Sequence, residues 1–209
     1  MALRLLPFRQ YDEQDVVNIF ALKSDEVLDS VTTDSKGSQG VFVVPTAGID
    51  SFNGEPVSYA TDSYLGKSDY PHVGGEMYPS NPMTVEAAVS GETPLGLTLN
   101  QTAKTDENGE KLLYNTAKKE ELQAVLPGQS VPVATKGIFT IGVNGLTASD
   151  NAGFTIGGGF EVAAADGSIG PIDVKDTGSL GMVLGTGTRT SQGGITDSFA
   201  GDYVVVKLG

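Results

Sequence analysis

Apolar residues in this chain fall in short runs, and polar turn residues cut between them at close intervals. Val41-Phe42-Val43-Val44 is one such run. Its β-branched and aromatic residues fit a pleated surface, and Pro45 is expected to end it. From residue 83 the pattern becomes regular. Met83–Val89, Leu95–Leu99, Ser130–Ala134, Gly137–Val143, Phe154–Ile156, Phe160–Ala165, Ser179–Leu184 and Tyr203–Leu208 read as strands. The breaks between them are turn sequences: Gly91–Pro94, Pro127-Gly128, Asn144-Gly145 and Asp166-Gly167. Asp106–Gly109 reads as a hairpin tip, because Asn-Gly accepts the positive φ of a tight turn, and Lys111–Tyr114 would be its return strand. Lys118–Val125 fits a helical turn or a strand. Short strands at this spacing predict a small barrel or sandwich.

The first 80 residues are different. Asp12 can cap a helix, Glu13 and Asp15 suit its positive end, and Val16, Ile19 and Phe20 share one helical face, which predicts a short amphipathic helix over residues 13–22. The leading MALRLLPFRQ is apolar and basic, with Arg4 and Arg9 two of only three arginines. It fits an edge strand whose leucines complete the core, or an arm that docks on a neighbouring subunit and forks its arginines onto carboxylates. Residues 50–79 are rich in Ser, Gly, Asp and Tyr and read as a long surface excursion. The expected fold is therefore mainly β: one or more small β-barrel or sandwich domains, an extended N-terminal arm and one short helix. Residues 1–80 would hold the arm, helix and loop region, and 81–209 the barrel.

One phrase recurs. Leu95-Gly96-Leu97-Thr98-Leu99 and Leu180-Gly181-Met182-Val183-Leu184 both follow a turn and lie downstream of an alanine-rich strand. The parts are spaced differently in the two places. Two similar β-modules, or one with a partial copy, would account for the echo.

Composition narrows the function classes. The chain has 28 glycines, no Trp and a formal net charge of −13. The acidic balance repels phosphates, and the densest basic cluster, Lys111, Lys118 and Lys119, is interleaved with Glu110, Glu120 and Glu121, so no nucleic-acid partner is expected. No cysteine is present, which removes disulfides, thiolate metal sites and a Cys nucleophile. No apolar run approaches the ~20 residues of a membrane span, so no membrane partner is expected. The apolar stretch at the N-terminus is too short for a signal peptide, and the mature chain is expected to begin at or next to Met1.

Little catalytic chemistry is legible. His72 is the only histidine, so a multi-His metal site is out of reach. Gly66-Lys67-Ser68 resembles the tail of a P-loop, but Thr61 stands where the motif needs glycine. Gly157-Gly158-Gly159 opens no expected helix and reads as a turn or bulge rather than a dinucleotide fingerprint. Asp106 and Asn108 beside Gly109 match part of a calcium loop without its terminal glutamate. Adjacent acids such as Asp12/Glu13, Asp25/Glu26 and Glu120/Glu121 read as solvated surface. No catalytic residue, cofactor or metal is expected, and the chain is not expected to be an enzyme.

From Thr84 to Gly209 the phrases T-P-L-G-L-T-L, D-E-N-G-E-K-L, P-G-Q-S-V-P-V-A-T-K-G-I-F-T-I and G-D-Y-V-V-V-K-L resemble structural proteins of tailed bacteriophages. They are most similar to capsid decoration (cement) proteins, including those of marine and cyanobacterial phages. The shared grammar lies in Gly128–Val133, Asp166-Gly167, Gly181–Leu184 and Val204–Leu208, and the first 80 residues share less of it. The resemblance implies a virion protein on the outer capsid surface, with the major capsid protein as partner. It also implies a homo-oligomer, the trimer favoured, and no catalytic residues. On that reading the docking residues would be Leu3, Arg4, Leu5, Leu6, Phe8 and Arg9, with parts of the 50–80 excursion. The arginines would pair with capsid carboxylates and the apolar side chains would fill pockets. Two other readings fit the same residues. One is a tail, baseplate or fibre-associated protein. The other is a carbohydrate-binding module that uses Tyr59, Tyr64, Tyr70 and Tyr78.

Overall fold

A computed structural model describes residues 4–22, 39–47, 83–103, 106, 108, 110–112, 114–126, 129–148, 150–173, 178–190 and 199–209. Its strands are β1 (Leu5–Gln10), β2 (Val16–Val17), β3 (Ala21–Leu22), β4 (Phe42–Ala47), β5 (Met83–Ala87), β6 (Gly96–Thr98), β7 (Gln101–Thr102), β8 (Ala124–Val125), β9 (Val133–Ala134), β10 (Gly137–Gly142), β11 (Gly159–Val162), β12 (Ile169–Ile172), β13 (Gly181–Arg189) and β14 (Gly201–Leu208). One α-helix, α1 (Thr116–Leu122), lies between β7 and β8. The protein is mainly β, as its turn-cut apolar runs predict.

Two six-stranded sheets dominate. The first runs β1-β10-β14-β13-β11-β12 and is antiparallel throughout. The second runs β2-β9-β6-β4-β5-β3, antiparallel except for the β3–β5 pair. Strands from both sides of residue 80 are hydrogen-bonded neighbours in each sheet. The inner face of the first sheet (Phe139, Ile141, Phe160, Val183, Val204, Val206) packs on Phe42, Leu97 and Ala134 of the second. The opposite face of the second sheet is buried too: Val41, Val43, Val85 and Val133 meet Leu22, Val125 and Val131. A small third core, Ala103, Leu112, Ala124 and Leu126, gathers with the partly buried Leu122 at the end of α1.

Several local expectations are corrected. Residues 13–22 form no α-helix. Asp12 does cap, accepting from the Gln14 N–H at 2.9 Å, but it caps a single 3-10 turn over Glu13–Asp15. The chain then extends, because the β-branched Val16 and Val17 find strand partners in Ala134 and Val133. The helix is α1, where Asn115 accepts from the Lys118 N–H and Gln123 closes the end with φ +51°. Leu112 and Tyr114 lie in turn rather than in a return strand, and Phe154–Ile156 is loop. Pro45 lies inside β4, opposite Val85. Its missing N–H points to the β6 side, where pairing stops at Val43, so no ladder bond is lost. The N-terminal segment is not an extended arm. It is the edge strand β1, paired with β10.

The echoed glycines have one physical cause. A Cβ on Gly96 would stand 2.2 Å from the Ala134 carbonyl oxygen, and one on Gly181 would stand 2.0 Å from that of Lys207. Each glycine opens its strand where a neighbouring backbone crosses too close for a side chain. The surroundings differ, since β6 lies between β9 and β4 while β13 lies between β14 and β11.

Neither large sheet closes through its backbone. A single backbone bridge ties β12 to the segment after β10, Leu146 to Ile169, and a side-chain pair joins β12's turn to the entrance of β1. Arg4, at the entrance to β1, is 1% exposed and donates to the Asp166 carboxylate at 2.6 Å and its carbonyl at 2.8 Å. Asp166 sits in the turn between β11 and β12, at the other end of the sheet. The next residue, Gly167, donates to the Ala88 carbonyl at 3.1 Å, which pins this turn to the second sheet. Burial by itself would raise the Asp166 carboxyl. The hydrogen bonds from Ser168 and the charge and hydrogen bond of Arg4 outweigh it and hold the group below the usual aspartate value.

Two predictions follow from this packing. Gly96→Ala and Gly181→Ala should each lose about 1–3 kcal/mol in denaturant unfolding, while Gly185→Ala, whose Cβ would meet nothing nearer than 4.0 Å, should stay within about 0.5 kcal/mol. Asp166→Ala removes the carboxylate paired with a buried guanidinium and should cost about 3 kcal/mol, whereas Arg4→Met removes that charge and should cost less. Because the folded carboxyl is depressed, its contribution is complete above the unfolded value of about 3.9 and is lost as pH falls through the lower folded value. The stability gap between wild type and Asp166→Asn should therefore be flat at neutral pH and shrink in acid.

Candidate docking face on the first sheet

The candidate site grows out of a disturbance in β1. Leu5 pairs with Ile141 and Arg9 with Phe139, so four residue steps on β1 face two on β10. The surplus is taken up around Leu6-Pro7-Phe8, opposite Thr140. Proline cannot donate to a ladder, and a bulge at this point turns the following side chain outward. Phe8 is accordingly 71% exposed, behind only Tyr114 and Ile156 among the large hydrophobic side chains described.

The rest of the site comes from strand alternation. Val204, Val206 and Leu208 of β14 point inward, so Tyr203, Val205 and Lys207 point outward. Register places Thr140 and Gly185 beside Val205, Gly142 and Gly187 beside Tyr203, and Arg189 beside Gly201. With glycines as neighbours, Tyr203 and Val205 lie low on this face, and a furrow opens beside them at the Arg189 end of β14. A Cβ at Gly187 would come within 2.6 Å of the Tyr203 hydroxyl, so that ring lies across the glycine. Leu6, Pro7, Phe8, Thr140, Tyr203, Val205, Phe199 and Arg189 enclose an open cavity of about 810 Å³. The Arg189 guanidinium lies 6.0 Å from the Phe199 ring centre. Met182 and Leu184 extend the same apolar surface along β13.

The electrostatics of this face oppose those of the chain. The outward positions of β1, β10, β14 and β13 hold Arg189 and Lys207 and no carboxylate, in a protein with 26 acidic residues. The nearest acid in β14, Asp202, faces the other way. It accepts from the Thr188 hydroxyl at 2.6 Å and the Asn151 N–H at 3.2 Å, and these bonds hold its carboxyl below the usual range. At the floor, Thr140 is 4% exposed and its hydroxyl has no hydrogen-bond partner among the described residues.

The structure separates the six residues expected to dock. Leu5 belongs to the main core, Leu6 is 4% exposed and floors the cavity, and Arg4 is committed to Asp166. Arg4 and Leu5 are therefore internal, because β1 is an edge strand that completes a sheet. Phe8 stands free to meet a partner. Arg9 is exposed and donates to Gln39 at 3.4 Å. Leu3, His72, Gly66-Lys67-Ser68 and the 50–80 excursion with its four tyrosines lie outside the described residues. Sequence reasoning missed Tyr203, Val205, Phe199 and Arg189. The signal was the closing GDYVVVKL, whose outward alternate positions are apolar or aromatic where a solvated face would be polar.

Other chemistry is sparse. Among the described residues no three His, Asp or Glu side chains gather to hold a metal. One Asp106 oxygen accepts from the Asn108 and Glu110 N–H groups, so it organises its own turn. No described helix is long and apolar enough to cross a membrane. The chain matches no protein-family model, no curated protein and no solved structure.

The assignment of roles within β1 has a direct check. Leu5→Ala should destabilise by about 2–5 kcal/mol, while Phe8→Ser should change stability by no more than about 0.5 kcal/mol. Deleting residues 2–9 should unfold the first sheet rather than simply undock it, which circular dichroism and thermal melting would show.

Proposed function

We propose that this chain is a capsid decoration protein, binding the outer surface of a phage head and bridging neighbouring major capsid subunits. The observation that carries the proposal is the outward face over β1, β10, β14 and β13, apolar, furrowed and without a carboxylate among its described residues, on a chain of net charge −13. Apolar surface of this kind marks an interaction site. It fits the sequence resemblance to cement proteins. A protein that binds only the assembled shell stabilises it by mass action, and several contacts per oligomer raise the effect through effective concentration.

The sheet edges point the same way. Both edges of the first sheet carry a proline, Pro7 in β1 and Pro171 in β12, and both edges of the second are strands of two residues. Such edges resist pairing with another chain. Association is thereby directed to a face.

Quantitative mass spectrometry of purified heads tests the proposal. Hundreds of copies per particle are expected, and Phe8→Asp should leave the protein folded while reducing its occupancy on stripped heads at least tenfold. A handful of copies would move the protein to the tail or a vertex. Its absence from virions would overturn the proposal.

A further inference from the structure

We infer that the furrow along β14 takes an extended peptide segment, apolar in its middle and carrying a carboxylate at each end. This rests on reading the outward face as a docking surface, and it specifies the chemistry of what docks.

Three observations select the occupant. The first is charge. Of the three arginines, Arg4 is spent on Asp166 and Arg9 donates to Gln39, while Arg189 makes no ion pair among the described residues. Arg189 sits beside Gly201 at one end of β14, and Lys207 projects from the same face six residues further on. At about 3.4 Å per residue the two cations are about 20 Å apart, the span of six residues of extended chain. The second is the surface between them, Tyr203 and Val205 flanked by glycines, which is apolar; the cavity reaches from Arg189 to Val205 and Lys207 stands beyond it. The third is Thr140. A buried hydroxyl without a partner costs free energy until something pairs with it. A backbone carbonyl of an extended segment laid in the furrow would accept its proton. A basic or neutral segment would leave both cations unmatched. The long-range repulsion from a chain of net charge −13 is screened beyond about 8 Å at physiological salt, whereas contact at Arg189 is not.

The test uses the full chain and a capped peptide with two glutamates six residues apart and alternating isoleucine and threonine between them. The control has lysine in place of each glutamate. Isothermal titration should show saturable binding of the glutamate peptide and at least tenfold weaker binding of the lysine peptide. Arg189→Glu should cost the glutamate peptide at least tenfold and narrow or reverse the preference. Thr140→Val should weaken it several-fold, and both variants should melt within a few degrees of wild type. Equal binding of the two peptides, or binding of neither, overturns the inference. So does self-association in sedimentation that Arg189→Glu abolishes, which would make a second copy of the chain the occupant. Peptide binding by a protein absent from heads would defeat the capsid proposal alone. Decorated heads with a protein blind to both peptides would defeat this inference alone.

Discussion

The buried pair of Arg4 and Asp166 is the constraint on which this architecture turns. It joins residues 162 positions apart and, with a single backbone bridge, ties the two ends of a six-stranded sheet. Around it the neighbours are cut to fit. A Cβ on Gly145 would stand 2.5 Å from Ile141, the β10 partner of Leu5, and the Gly142 N–H donates to the Arg4 carbonyl at 2.7 Å. A buried ion pair is not in itself a strong source of stability, because desolvation offsets much of the attraction. Its value here is geometric. With Arg4 anchored, β1 is held against β10 as an edge strand, Leu5 enters the core, and the surplus residues have to bulge outward at Pro7.

That bulge links the fold to the proposed function. Arg4 and the six-residue strand it leads into supply a closing cation, a core side chain and an exposed phenyl ring, and the alternation of β14 extends the exposed surface away from them. A sheet joined end to end by one bridge and a side-chain pair, edged by prolines and covered on its inner face by the second sheet has one broad surface left. In a strongly acidic protein the described outward positions of β1, β10, β14 and β13 hold two cations and no acid, with Glu161 of β11 beyond them, which makes this part of the surface the place where an acidic partner can approach.

Much of the fold was legible in the sequence. β4, β5, β6, β10, β11 and β14 announce themselves by β-branched runs between glycine turns, because local propensity and tertiary pairing agree there. Agreement fails over 13–22, where a good cap and a helical spacing of Val16, Ile19 and Phe20 were overruled by strand partners more than a hundred residues away. The helix at 116–122 was only half visible, since it buries no residue of its own and so carries no apolar stripe. Arg4 was read as a docking group because arginine is rarely fully buried, and nothing near it in sequence names Asp166 as its partner. Phe8, expected to dock, lies on the exposed part of β1, whereas Leu5 and Leu6 of the same strand are buried. The furrow itself required the register of four strands, which a single sequence does not encode locally.

The central claim is that the outward face of the first sheet is where this protein meets its partner. Hydroxyl-radical footprinting of the protein free and on purified heads tests it most directly. Phe8, Tyr203 and Met182 should lose reactivity on binding, while Tyr114, exposed in the turn before α1, should keep its own. Unchanged reactivity at Phe8 and Tyr203 alongside protection of Tyr114 would contradict the account.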